Sequence, residues 1–238
     1  MEKPKNSKNR VPKIIGVILG SIGLIVLAGL VFIGREGHFG PFKDLAVSKI
    51  VSAYKKRPKG EIVFYGASNF TLWRSIEKDL APYVLQNHGF GGSTDRDLVA
   101  RAEELLFPFE PRIVVMQTGS NDLMMGSTVD ELIAGKREMY GQFMKRLPNT
   151  VFVVMSGLPC PERASIWNDI QTINEALKVI CDENEKMVYA DADPLMLTAD
   201  GGFRPELFSD GVHLNTDGRA LWGPLIMEKL AEAEKILK

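Results

Sequence analysis

Ser68, Asn121, Asp210 and His213 are the residues able to do chemistry together, and each falls where a regular run of sequence stops. Ser68 follows the apolar run Ile62–Tyr65 and the small pair Gly66 and Ala67. A serine hydroxyl is a poor nucleophile until a neighbouring base takes its proton, and histidine is the natural base near neutral pH. The chain has three histidines: His38 beside an apolar N-terminal segment, His88 in a glycine-rich turn, and His213 in Asp-Gly-Val-His. Only His213 has a carboxylate three residues upstream, Asp210, suited to fix the imidazole tautomer and stabilise its charged form. Acyl transfer also needs donors aimed at a developing oxyanion. The Asn121 amide and the backbone N–H groups of Gly92 and Ser68 would supply them. Each residue has a plainer reading when taken singly. Ser68 caps a helix, Gly89, Gly91 and Gly92 permit a turn, Asn121 makes an Asx turn, and Asp210 and His213 are a surface loop pair. The ordered set Ser, Gly, Asn, Asp-x-x-His makes those plainer readings jointly hard to sustain.

The elements that must position these residues alternate along the chain. Ile62–Tyr65 reads as a strand buried on both faces, because four apolar residues follow one another without polar interruption. Tyr83–Gln86, Ile113–Gln117, Val151–Met155 and Met187–Ala190 read as further strands. Helical spacing of apolar residues predicts helices over Lys43–Lys56, Thr94–Leu106, Thr128–Leu147, Ile166–Asn184 and Arg219–Leu237. Strands alternating with helices of this length imply a mostly parallel sheet covered on both sides, an α/β fold. Ligands bind such sheets at the carboxyl ends of the strands. Ser68, the turn ending at Gly92, and Asn121 lie just beyond strand ends, and Asp210–His213 lies in the loop before the last helix.

At 238 residues the chain holds one sizeable domain, with 45% hydrophobic and 25% charged residues. The overall charge of −1 hides an asymmetry: residues 1–13 carry five basic residues against Glu2, a net +4, which leaves −5 on the remainder. A mildly acidic globular part argues against nucleic acid as a partner. Residues 14–34 are 21 consecutive residues without a charge. As a helix they span about 31 Å, close to the hydrocarbon thickness of a bilayer. With the basic residues on the amino side, that end is expected in the cytoplasm and the catalytic part outside it. The alternative is a cleaved signal and a secreted protein, but no A-x-A-like cleavage site follows. The expected organisation is a basic tail at 1–13, a transmembrane helix at 14–34, a linker and juxtamembrane helix at 35–60, and a catalytic domain at 61–238. Gly16 and Gly20 form a weak G-x-x-x-G signal in the apolar segment. Cys160 and Cys181 are expected as free thiols, held apart by the helix that carries Cys181.

The four motifs resemble the blocks of the SGNH or GDSL-type hydrolases. Gly66-Ala67-Ser68 looks like the family's Gly-Asp-Ser, Asn87–Thr94 like its second block with Gly92 as the oxyanion glycine, Gly119–Asp122 like Gly-x-Asn-Asp, and Asp210–His213 like Asp-x-x-His. The similarity runs from about Glu61 to Leu225. Ala67 departs from the family's aspartate. Trp73 and the tail around His213 look most like the branch with platelet-activating-factor acetylhydrolases and bacterial sugar-ester esterases. The resemblance implies a flavodoxin-like three-layer sandwich with a five-stranded parallel sheet in the order 2-1-3-4-5. It also implies a serine mounted without the G-x-S-x-G elbow of α/β-hydrolases.

The function expected is a membrane-anchored serine esterase acting on a short acyl or acetyl ester of a carbohydrate or lipid. Ser68 is the nucleophile, His213 the base, Asp210 its orienting carboxylate, and Ser68, Gly92 and Asn121 the oxyanion donors. No metal or organic cofactor enters this chemistry. Phe70, Trp73, Phe90, Met124, Arg163 and Trp167 are the expected substrate-lining residues. An O-acyltransferase acting on envelope sugars would use the same residues, and a non-catalytic binding module is the remaining rival. Asp191 and Asp193 resemble a metal pair but read better as an end-of-strand turn. The sequon Asn69-Phe70-Thr71 beside the nucleophile reads as chance, since a glycan there would block the site.

Overall fold

Each strand run is continuously apolar because both of its faces are covered. In the computed structural model, which describes residues 40–238, β1 (Ile62–Gly66), β2 (Leu85–Asn87), β3 (Ile113–Gln117), β4 (Val151–Met155) and β5 (Met187–Ala190) form one sheet in the order β2-β1-β3-β4-β5. Every pairing is parallel, with Ile62 beside Leu85 and Ile113, and Ile113 beside Val151. Alternate side chains enter two separate cores. Ile62, Phe64, Ile113, Val115, Val151 and Val153 face one layer, and Val63, Tyr65, Val114, Met116, Phe152 and Val154 face the other. Both expected features of the fold, the α/β class and the strand order, are present.

The first layer is built mainly on the long C-terminal helix, with α2 (Ser68–Thr71) and α3 (Ile76–Asp79) beside it. The second is covered by α1 (Gly40–Tyr54), α4 (Asp95–Leu105), α6 (Val129–Arg146) and α7 (Trp167–Asp182). A short α5 (Ser120–Met124) follows β3, and α8 (Asp193–Met196) follows β5. The C-terminal helix is α9 (Thr216–Ile236). Helices α4 and α6 begin with complete capping boxes, Thr94 with Asp97 and Thr128 with Glu131. These satisfy backbone donors that the first helical turn leaves unpaired.

Several boundaries differ from expectation for identifiable reasons. Strand β2 starts at Leu85 instead of Tyr83, because the Tyr83 N–H donates to the Leu80 carbonyl at 3.1 Å and holds Tyr83 in a turn. Helix α9 starts at Thr216 instead of Arg219, because the Asn215 side chain accepts from the N–H groups of Asp217 and Gly218 and caps it. Helix α1 starts three residues early, at Gly40, and stops at Tyr54. The expected tail at 1–13 and transmembrane helix at 14–34 lie outside the described residues. Among the described residues no helix is long and apolar enough to cross a membrane. Cys160 and Cys181 are free and buried in different cores.

Candidate active site

Ser68 is the first residue of α2, mounted where β1 ends. The turn before it demands glycine at Gly66, since a Cβ there would lie 2.5 Å from the Gln117 carbonyl oxygen of the neighbouring strand. Asp210 and His213 come from the loop before α9, and their spacing has a local cause. The Asp210 carboxylate folds forward, Oδ1 accepting from the backbone N–H of Val212 (3.1 Å) and of His213 (2.8 Å). Gly211 takes φ +75° inside this turn, a left-handed conformation that favours glycine. The other oxygen, Oδ2, is thereby left 2.7 Å from His213 Nδ1.

The opposite ring nitrogen, His213 Nε2, lies 2.8 Å from Ser68 Oγ. An ionised carboxylate accepts only, so the proton of a neutral imidazole sits on Nδ1 and Nε2 is free to accept from the serine hydroxyl. Burial acts to raise the Asp210 carboxyl, but the His213 side-chain hydrogen bond and the two backbone donors outweigh it and hold it below its ordinary range. These donors favour the charged, accepting form of the carboxylate. His213 is buried while Asp210 is exposed.

Asn121 lies in the first turn of α5, after Gly119 at φ +115°. It is buried, its Nδ2 donates to the Ser93 carbonyl at 3.0 Å, and its Oδ1 accepts from Arg163 Nη2 at 2.9 Å. Gly92 has φ +68°, in the turn after β2. The structure thus brings together Ser68, Asp210 and His213 in one hydrogen-bonded chain, and sets Gly92 in the turn after β2 and Asn121 in the helix after β3, the two strands that flank β1.

The six residues expected to line the substrate site separate. Phe70 and Trp73 belong to the core, stacked on Trp222 with ring centroids 5.6 and 5.8 Å away. Phe90 is buried in the other core near Tyr65. Large rings that follow a strand end are drawn under the sheet by the area they bury, and these three do not line the site. Trp167 is buried at the start of α7, edge-on to Phe203. Met124 is 58% exposed at the end of α5. Arg163 sits on the Asn121 amide. Asp191 and Asp193 form the expected turn, with the Asp193 N–H on Asp191 Oδ1 at 3.0 Å.

Sequence reasoning missed three contributors. Asn69 Oδ1 accepts from the Leu214 N–H at 3.1 Å, tying the nucleophile turn to the histidine loop; its place in a sequon drew attention to glycosylation instead. Lys136, 1% exposed, donates to Asp95 Oδ1 at 3.2 Å and to the Thr118 carbonyl at 3.4 Å, beneath Gly119. Asp95 in turn gives its N–H to Asp122 Oδ1 at 3.0 Å. A lysine in an amphipathic helix carries no sequence signal that it will be buried.

Residues 62–221 match the family model described as the GDSL-like Lipase/Acylhydrolase family. The chain belongs to this family. As a GDSL-like lipase/acylhydrolase it is a hydrolytic, ester-cleaving enzyme. Its fold is shared with solved structures of low identity. A Streptococcus pneumonia protein provisionally described as a platelet activating factor is 17% identical, with a TM-score of 0.73 over 88% of this chain and 99% of that one. A GDSL-like lipase from Bacteroides thetaiotaomicron is 20% identical, with a TM-score of 0.64 over 78% and 96%. A mutant of an acetyl-xylooligosaccharide esterase from Geobacillus Stearmophilus is 19% identical, with a TM-score of 0.57 over 73% and 95%. No curated protein matches the sequence.

Proposed function

We propose that this GDSL-like acylhydrolase is a serine esterase working through an acyl-enzyme on Ser68. The observation that carries the reading is the chain from Ser68 Oγ through His213 to Asp210, at 2.8 and 2.7 Å. Ser68 Oγ attacks the ester carbonyl carbon and passes its proton to His213 Nε2. The tetrahedral oxyanion is met by the N–H groups of Ser68 and Gly92 and by the Asn121 amide. As the intermediate collapses, His213 returns the proton to the departing alcohol oxygen. Water then attacks the acyl-serine and gives its proton to His213, which returns it to Ser68 Oγ as the bond from the acyl carbon to Oγ breaks and the carboxylic acid leaves. A fluorophosphonate probe should label Ser68 in the wild-type chain and fail to label Ser68→Ala. Labelling at another residue would overturn the reading.

The substrate we propose is a short acyl ester on a carbohydrate or lipid, and the enzyme is anchored by residues 14–34. Support for the anchor comes from the uncharged run and its basic amino flank. Lys43, in the first turn of α1, pairs with Asp97 at 2.7 Å, and α4 reaches Asp122 beside Asn121. The chain thus enters the domain on the edge that carries the site. Residues 35–39 reach at most about 18 Å, so the site would open toward the lipid surface. Exposed Met124 and Met125 lie on that edge. Protease added to intact cells should digest the domain and spare a tag at Met1; protection of the domain would refute the topology. Product analysis with a sugar acceptor present decides between hydrolysis and O-acyl transfer.

A further inference from the structure

An asparagine amide serves an oxyanion only if its NH₂ end faces the oxygen on which the charge develops. The two ends of the group have nearly the same shape, and packing alone does not choose between them. A half-turn about its last torsion would replace the donor with an oxygen and repel the developing charge. The choice must come from hydrogen-bond partners that tell a donor from an acceptor.

Asn121 has two such partners. On one side the Ser93 carbonyl accepts from Nδ2 at 3.0 Å, and a carbonyl cannot donate. On the other, Arg163 Nη2 donates to Oδ1 at 2.9 Å, and a guanidinium cannot accept. Rotating the amide would set its NH₂ against the guanidinium and its oxygen against the Ser93 carbonyl, with both contacts repulsive. In the observed orientation one Nδ2 hydrogen is used by Ser93 and the second is left for the substrate. The guanidinium also draws electron density through Oδ1, which strengthens Nδ2 as a donor.

Arg163 is well held for this task. It belongs to the 3-10 turn Pro161–Ile166 after β4, where its N–H donates to the Cys160 carbonyl at 2.9 Å. The same guanidinium holds Ser120 Oγ through Nη1, so it spans the first two residues of α5. The preceding residue, Glu162, gives its N–H to the Gly211 carbonyl at 3.1 Å, and Cys160 Sγ donates to the Val212 carbonyl at 3.3 Å. One turn thus touches both the loop with Asp210 and His213 and the loop with Asn121.

We infer that Arg163 is a positioning residue of the ester-cleaving reaction, fixing the Asn121 amide with its NH₂ end toward the oxyanion. It acts through Asn121 and not by binding the substrate. The inference rests on the proposed oxyanion role of Asn121 and goes beyond it by naming what enforces that role.

The test is a double-mutant cycle on the full-length enzyme in detergent, with a p-nitrophenyl acetate assay. Asn121→Ala alone should lower kcat by roughly 10²–10³ with KM little changed. Arg163→Met should lower kcat by roughly 10–10² with KM within about twofold. Combined with Asn121→Ala, Arg163→Met should cost no further activity, because the group it positions is already gone. Arg163→Lys, which keeps a cationic donor, should recover part of the loss, and it serves if the methionine variant misfolds. Losses that multiply in the double variant, or an Arg163→Met effect confined to KM, would overturn the inference while leaving Asn121 in place. A harmless Asn121→Ala would overturn the oxyanion assignment itself, and the inference with it.

Discussion

The ion pair under the loop after β3 can be broken with little change of shape by Lys136→Met. The Lys136 side chain is 1% exposed and that of Asp95 9%, and Nζ lies 2.9 Å from Asp95 Oδ2 and hydrogen-bonds Oδ1 at 3.2 Å. At that separation and an effective dielectric near 20, the attraction is about 6 kcal/mol, most of it offsetting the desolvation of both charges. Methionine fills nearly the same volume, so a cavity contributes little. What remains is a buried carboxylate without its cation, which costs about 3–5 kcal/mol. For a domain of this size that is about 6–20 °C in Tm. Asp95→Asn in the same background removes the orphaned charge and should restore most of the loss. Thermal and denaturant unfolding of the wild type, the single variant and the double variant measure both steps. A single variant within about 1 kcal/mol of wild type, or a double variant no better than the single, would refute the assignment of this pair as the buried support of the loop.

Other outcomes follow from the same geometry. Ser68→Ala should abolish covalent turnover, and Asp210→Asn should leave a small residue of activity by misorienting His213, both read by steady-state kinetics. Burial first and the Asp95 charge second push the Asp122 carboxyl up to about 7, with Lys136 opposing. Between about pH 4 and that value the unfolded chain loses this proton before the folded one does, so the group's contribution to stability falls as pH rises. The stability of Asp122→Asn relative to wild type, from urea unfolding, should therefore increase from about pH 5 to about pH 8; a constant difference would refute it. Asn69→Ala removes the acceptor for the buried Leu214 N–H and should destabilise the chain by about 1–3 kcal/mol in the same assay.

What was legible in the sequence was whatever a local run or a short spacing encodes. Strands β3, β4 and β5 lie where their apolar runs place them, because burial on both faces leaves no polar interruption to misread. Asp-Gly-Val-His is legible because its geometry closes within four residues. Contacts across the fold were not. Nothing near Arg163 in the chain says that it will meet Asn121, 42 residues away, and nothing near Lys136 announces Asp95, 41 residues away. Phe70, Trp73 and Phe90 misled because a ring near a motif suggests a pocket, whereas the area it buries favours the core.

The strand order explains why the parts of the site differ in what holds them. The chain reverses direction of growth at β1, with β2 on one side and β3 on the other. That reversal opens the crevice in which ligands bind in open α/β sheets. Ser68, Gly92 and Asn121 leave from β1, β2 and β3, so their positions are set by the ladder itself. The histidine loop leaves from no strand end in the sheet. It is tied back by separate bonds: Asn69 to Leu214, Glu162 to Gly211, and Cys160 to Val212. In the proposed mechanism the nucleophile and oxyanion donors therefore follow strands of one ladder, whereas the base sits on a loop held by those separate bonds. Asn69→Ala should therefore lower activity through the Ser68–His213 contact in addition to the stability it costs, and unchanged kcat in a folded variant would refute that coupling.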